Sequence, residues 1–241
     1  MLKLIDIHKT FNPGTINEKV ALNGVDLHLN EGDFVTVIGG NGAGKSTLFR
    51  LISGYLEADS GSIQADDTDI QSDRVSYLNK IGYVPEISAL YGEMTTVEFL
   101  LFAADLKTAS AETTTKKLHE AILNLELEEV KFQRLDTLSK GFKKRVELAA
   151  ALIGEPEILL LDEPTEGLDP LQKESIRKII KNYAKKHLVI ISTHALEDVE
   201  SMSQRVLLMH KGKITADIKT ADLKKSASAN LLTSFKKMTG E

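Results

Sequence analysis

Residues 39–46, Gly39-Gly40-Asn41-Gly42-Ala43-Gly44-Lys45-Ser46, follow the spacing G-x-x-x-x-G-K-[ST]. Glycines at those positions let the backbone wrap a phosphate with its N–H groups, and a helix starting there adds partial positive charge. Lys45 would reach the β- and γ-phosphates of a nucleotide, and Ser46 would ligate Mg²⁺. Further on, the apolar run at 158–161 ends in two carboxylates, Asp162 and Glu163. An aspartate there can hold Mg²⁺ directly or through water, and Glu163 can accept a proton from an attacking water. His194 follows another apolar run, Leu188–Ser192, where it could hydrogen-bond a γ-phosphate and orient that water. His8, His28, His119, His187 and His210 have no such setting and read as surface or structural residues.

These groups need elements to hold them. Phe34–Ile38 is almost wholly apolar, as a strand covered on both faces is, and it leads straight into the glycine loop. Beyond the loop, Leu48, Leu51, Ile52 and Tyr55 recur at i, i+3, i+4, i+7 and predict a helix. Residues 2–8 and 22–29 alternate apolar and polar, as half-buried antiparallel strands do, so the sheet reads as mixed. From Thr95 to about Ile153 strand character is lost. Thr95-Thr96-Val97-Glu98 resembles a helix start, 111–125 is rich in Lys, Glu, Ala and Leu, and Phe142, Val146, Ala149, Ala150 and Ile153 share a helical face. Gly154 and Pro156 stop that helix, and a strand at 158–161 follows. Asp169-Pro170 supplies an N-cap and a first-turn proline ahead of the stripe Ile176, Ile179, Ile180 and Tyr183, with a strand next at Leu188–Ser192. Past Lys213 the chain turns polar, and Leu231, Leu232, Phe235 and Met238 suggest a short amphipathic terminal helix.

Composition limits the alternatives. Thirty basic residues against 35 acidic ones leave a formal net charge of −5, and 42% hydrophobic with 27% charged is ordinary for one globular domain with or without an inserted subdomain. The absence of cysteine excludes a thiolate nucleophile, a disulfide framework and a Cys-based metal site, and favours a cytosolic setting. The apolar runs at 99–104, 158–161 and 188–191 stop far short of the roughly 20 residues a membrane helix needs. The start reaches Asp6 too early for an export signal, and the acidic balance argues against a general nucleic-acid binder.

Leu138-Ser139-Lys140-Gly141-Phe142, just ahead of the Asp162-Glu163 strand, resembles the LSGGQ-like signature motif of ATP-binding-cassette (ABC) ATPases. Together with residues 39–46, the stretch 163–169 and Ser192-Thr193-His194, the resemblance covers residues 1 to 215 in the family's order. It implies an α/β fold: a P-loop NTPase (RecA-like) mixed-sheet core with an N-terminal antiparallel β-subdomain and an inserted α-helical subdomain. The whole chain, 1–241, would be one ABC ATPase domain. In it, 1–86 and 154–216 would form the nucleotide-binding core, 87–153 the helical signature subdomain and 217–241 a C-terminal extension. By the same resemblance Gly39, Asn41, Gly42, Ala43, Gly44, Lys45, Ser46 and Thr47 bind ATP as the Walker A loop, and Phe11 stacks on adenine. Asp162 matches the Walker B aspartate and would hold Mg²⁺ with Ser46 and Glu86. Glu163 matches the catalytic glutamate, and His194 the switch histidine, acting with Lys45. Asp169 matches the D-loop, while Ser139 and Gly141 would contact the γ-phosphate bound by the opposite subunit. The implied cofactors are ATP and Mg²⁺. The implied partners are a second ABC ATPase subunit, identical or not, and integral membrane permease subunits, with no nucleic acid. The chain would sit peripherally on the cytoplasmic face of the cell membrane, docked near Glu86 to Tyr91.

The match has departures. Lys140 replaces the second signature glycine, and Phe142 the usual glutamine. Glu86 stands where a glutamine is usual; a carboxylate can ligate the metal but cannot donate to a phosphate oxygen, so turnover or its coupling would be altered. Gly40 occupies a common proline position, with little expected consequence. Residues 12–19 and the Gly39-Gly40-Asn41 loop look like importer cassettes, whereas 83–86 and 138–145 look like exporter cassettes. A soluble regulatory or nucleic-acid-associated cassette ATPase is the alternative, but such relatives usually carry two cassettes, a coiled-coil insertion or a basic arm. A P-loop kinase or GTPase would leave Ser139–Gly141 and His194 unexplained.

Overall fold

The computed structural model describes residues 1–87, 90–107, 110–194 and 196–222. The stripe at Leu231, Leu232, Phe235 and Met238 lies outside the described residues. Two sheets carry the strands. β1 (Leu2–Phe11), β2 (Lys19–Leu29), β4 (Ser60–Ala65) and β5 (Thr68–Asp69) form an antiparallel sheet in the order β2-β1-β4-β5. The second sheet contains β3 (Phe34–Ile38), β6 (Ile81–Val84), β7 (Ile158–Asp162), β8 (Leu188–Ser192), β9 (Arg205–His210) and β10 (Lys213–Lys219). Its order is β10-β9-β3-β8-β7-β6, parallel except for β10 against β9. The fold is the α/β arrangement of the P-loop NTPases expected above, with the antiparallel N-terminal strands in a sheet of their own.

Alternation along the central strands builds two large cores and helps build a smaller cluster of Ile38, Val199, Val206 and Leu208. Ile158, Leu160, Leu188 and Ile190 face the antiparallel sheet and the helix α1 (Lys45–Ile52), packing with Leu2, Leu4, Phe49 and Ile52. Leu159, Leu161, Val189 and Ile191 face the opposite way, into the helical body. That body consists of α3 (Thr96–Asp105), α4 (Ala111–Asn124) and α5 (Lys140–Leu152), which bury Leu100, Ala104, Ile122, Val146 and Ala149. Thr95 and Glu98 close a full capping box at the start of α3, which is the signal that Thr95-Thr96-Val97-Glu98 carries in the sequence. Ser110 and Ser139 cap α4 and α5. α2 (Arg74–Asn79), α6 (Pro170–Tyr183) and α7 (Leu196–Met202) complete the helices among the described residues, apart from two 3₁₀ turns. No helix there is long and apolar enough to cross a membrane.

Three local expectations change. α1 stops at Ile52 because Ser53 caps it and Gly54, at φ +74°, reverses the chain; Tyr55 therefore leaves the stripe, is 73% exposed and meets Tyr83 edge-on at 5.6 Å. β1 continues past residue 8 to Phe11, because β2 pairs with it as far as the rung Phe11–Lys19. The polar stretch beyond Lys213 is the edge strand β10, with Ile214, Ala216 and Ile218 half-buried and Lys213, Asp217 and Lys219 outward. It runs to Lys219.

Candidate functional site

At the end of β3, close packing dictates the loop. A β-carbon on Gly39 would sit 2.5 Å from the Met209 carbonyl oxygen. Gly44 is excluded from carrying a side chain twice over: its φ is +110°, and a β-carbon would lie 2.6 Å from the Ala21 carbonyl oxygen. α1 then begins at Lys45 with no side-chain cap and no acid in its first turn, so its N–H groups and positive end stay available. Lys45 Nζ lies across the loop, donating to the carbonyls of Gly39 at 2.8 Å and Gly40 at 3.4 Å. The loop opens on a cavity of about 750 Å³.

Adjacent parallel strands deliver the acids. Asp162 and Ser192 end β7 and β8 as paired residues, and the Ser192 hydroxyl donates to the Asp162 carboxylate. Asp162 is 3% exposed and forms no ion pair among the described residues. Glu163 leaves the strand at φ +50°, held by its N–H donating to the Ser192 carbonyl at 3.1 Å. Its Oε1 lies 3.0 Å from His194 Nδ1. Burial pushes the Glu163 carboxyl above its ordinary range, with His194 pulling the other way, and the Glu163 carboxylate raises the exposed His194 imidazole.

The cavity brings together Phe11, Gly39, Asn41, Gly42, Ala43, Gly44, Lys45, Ser46, Thr47, Glu86, Asp162, Glu163 and His194. Lys19, Glu166 and Thr193 also line it and were not singled out from the sequence. Glu166 and Thr193 lie inside the stretches 163–169 and 192–194 that the sequence already marks, whereas Lys19 is brought in by the pairing of β2 with β1, which no motif contains. Ser46, Asp162 and Glu86 offer the oxygen donors that suit Mg²⁺, and the described residues hold no ready-made cluster of three His, Cys, Asp or Glu ligands.

The family model described as ABC transporter matches residues 22–166. The chain belongs to the ABC transporter family. Over 88% of its length it is 34% identical to the uncharacterized ABC transporter ATP-binding protein YxlF of Bacillus subtilis, covering 70% of that protein. It is 31% identical over 82% of its length to ATP-binding cassette sub-family A member 2 of Rattus norvegicus, of which it spans only 8%. Among solved structures, the dimeric post-hydrolysis ATP-binding cassette MJ0796 bound to ADP and Pi superposes with a TM-score of 0.82 at 28% identity, covering 91% of this chain and 99% of that one. The chain is an ABC-type ATPase.

In this cassette Ser139, Gly141 and Asp169 stand apart from the cavity. Ser139 and Gly141 line a separate depression of about 420 Å³ with Gln172, whose side chain lies where a Gly141 β-carbon would sit, at 2.6 Å. Asp169 caps α6, accepting from the Gln172 N–H at 2.9 Å. Lys140 lies along Gly167, where a β-carbon would meet its Nζ at 2.0 Å.

Behind the site, Asp198 is fully buried and ties its loops together. It accepts from Thr165 Oγ1 at 2.5 Å, Thr193 Oγ1 at 3.3 Å and Arg177 Nε at 2.7 Å. Among the described residues, Asp198→Ala would leave the Arg177 guanidinium with only Glu197, at 3.6 Å. The expected loss is about 3 kcal/mol, a large part of a domain's stability. Urea denaturation checks it, and a midpoint equal to that of the parent would refute the role of the cluster.

Proposed function

We propose that this cassette is the ATP-hydrolysing subunit of a transporter, pairing with a second cassette around Mg²⁺-ATP and driving integral membrane permease subunits from the cytoplasmic face of the cell membrane. The observation that supports the pairing is the separation of motifs. One chain places Lys45, Asp162, Glu163 and His194 on one cavity and Ser139, Gly141 and Asp169 outside it. A second copy could bring those three residues to the open side of the cavity, as the dimeric assembly of the related MJ0796 suggests. We assign 1–86 and 154–216 to the nucleotide-binding core, 87–153 to the signature subdomain and 217–241 to a C-terminal extension.

In this reading the loop 39–47 wraps the phosphates, Phe11 stacks on adenine and Lys45 moves from the Gly39 and Gly40 carbonyls onto the terminal phosphates. Glu163 takes the proton from the attacking water, and His194, held at 3.0 Å, orients the γ-phosphate. Mg²⁺ on Ser46, Asp162 and Glu86 would neutralise charge developing on the phosphate oxygens. Exposed Ile87 and Tyr91 border the segment where a membrane subunit would dock.

The ATPase rate of the purified chain, measured against its own concentration, tests the pairing. The rate per subunit should rise with concentration and then level off, and chelation with EDTA should abolish it. A rate independent of concentration over the nanomolar to micromolar range would indicate a site complete in one chain. Activity surviving EDTA would remove the metal role.

A further inference from the structure

Lys19 belongs to no motif, yet it lies on the nucleotide cavity. It occupies the last rung of the β1–β2 ladder, directly opposite Phe11. Residues so paired project their side chains to the same face of the sheet, about 5 Å apart. The ammonium reaches toward the phosphate loop: a β-carbon built on Gly42 would lie 3.9 Å from Lys19 Nζ. Lys19 is exposed and forms no hydrogen bond or ion pair among the described residues, whereas Lys9 and Lys80 are paired with Asp59 and Asp66.

The charge inventory of the cavity gives this ammonium a task. Among the described residues, Glu86, Asp162, Glu163 and Glu166 line the cavity, and against them stand two lysines, Lys19 and Lys45. Lys45 is committed to the Gly39 end of the loop, while Lys19 lies between the Phe11 ring and the turn at Gly42. A nucleotide whose base rests on Phe11 and whose terminal phosphates reach Lys45 would have Lys19, beside Phe11 and near Gly42, within reach of its inner phosphates. We propose that Lys19 is a nucleotide-affinity residue of this cassette, its ammonium binding the α- and β-phosphates of an adenine nucleotide. This rests on the assignment of the cavity to ATP made above, and adds to it a cation outside the phosphate loop.

Calorimetry with Mg²⁺-ADP, which carries both inner phosphates and is not hydrolysed, separates the possibilities. Lys19→Met should weaken ADP binding about 5- to 10-fold at low salt, the effect of removing one charge-assisted hydrogen bond at an exposed position. The gap should close as salt rises, because an exposed ion pair is screened. Lys19→Arg should stay within about twofold of the parent, since it keeps charge and reach. Parent-like affinity in Lys19→Met at low salt would make Lys19 a solvated surface lysine and overturn the proposal. An equal loss at low and high salt would overturn it too, since that is the mark of lost packing. A parent chain that binds no ADP would overturn the nucleotide assignment itself.

Discussion

Glu163→Gln abolishes steady-state ATP hydrolysis and leaves ATP affinity within about twofold of the parent: this is the largest effect expected of any single substitution here. The residue is 9% exposed, and its Oε1 is fixed 3.0 Å from His194 Nδ1. A glutamine keeps the shape and can still accept from that ring nitrogen, so the surroundings need not move. It cannot take a proton from water. General-base catalysis contributes about 10²–10⁴-fold, and the loss should fall in or above that range. Burial raises the basicity of Glu163 above that of a surface carboxylate, which makes the glutamate a better proton acceptor and the glutamine a more complete loss. The backbone argues for this conservative change. Glu163 sits at φ +50°, and its turn is tied to Ser192 by a backbone hydrogen bond of 3.1 Å. Turnover of the variant measured by phosphate release, beside ATP binding by calorimetry, decides the matter, and parent-like turnover would remove Glu163 from the reaction.

Lys45→Ala acts on the other side of the cycle, on binding. Its ammonium is partly buried and held by the carbonyls of Gly39 and Gly40, aligned along the loop that opens α1. Phosphate oxygens would replace those carbonyls with charge-assisted bonds, each contributing about 1.5–3 kcal/mol. Alanine would leave Lys19 as the only lysine, among the described residues, on a cavity lined by Glu86, Asp162, Glu163 and Glu166. ATP affinity should fall about 10- to 100-fold, with the melting temperature of the nucleotide-free chain little changed. Unchanged affinity would contradict the placement of the terminal phosphates at the start of α1. The two substitutions also separate binding from chemistry: Glu163→Gln should be stabilised by ATP against thermal unfolding, and Lys45→Ala should not.

Residues 39–46 could be read directly because a phosphate loop is made by consecutive residues whose backbone conformations and single lysine are local properties. The same holds for the capping box at Thr95 and Glu98, the N-cap at Asp169 and the apolar strands Phe34–Ile38, Ile158–Asp162 and Leu188–Ser192. Hydrogen bonds spanning three or four residues, and side-chain periods of 2 or 3.6, leave their mark on the order of the letters. Tyr55 shows the limit: the stripe was right through Ile52, and the turn at Gly54 then carried the next apolar position out to solvent.

Tertiary structure alone decided who meets whom. Parallel pairing of β7 with β8 sets Asp162 beside Ser192 and brings Glu163 to His194, 31 residues later. Antiparallel pairing of β1 with β2 puts Lys19 beside Phe11, and the reversal into α7 returns Asp198 to Thr165, Thr193 and Arg177. The inserted helices carry Ser139 and Gly141, and Asp169 caps α6, all outside the cavity of their own chain. The motifs by themselves determined the family and the kind of chemistry, because each is a short-range arrangement. The registers and crossovers that join them depend on packing two faces of one sheet, a cooperative outcome of the whole chain that no single segment encodes.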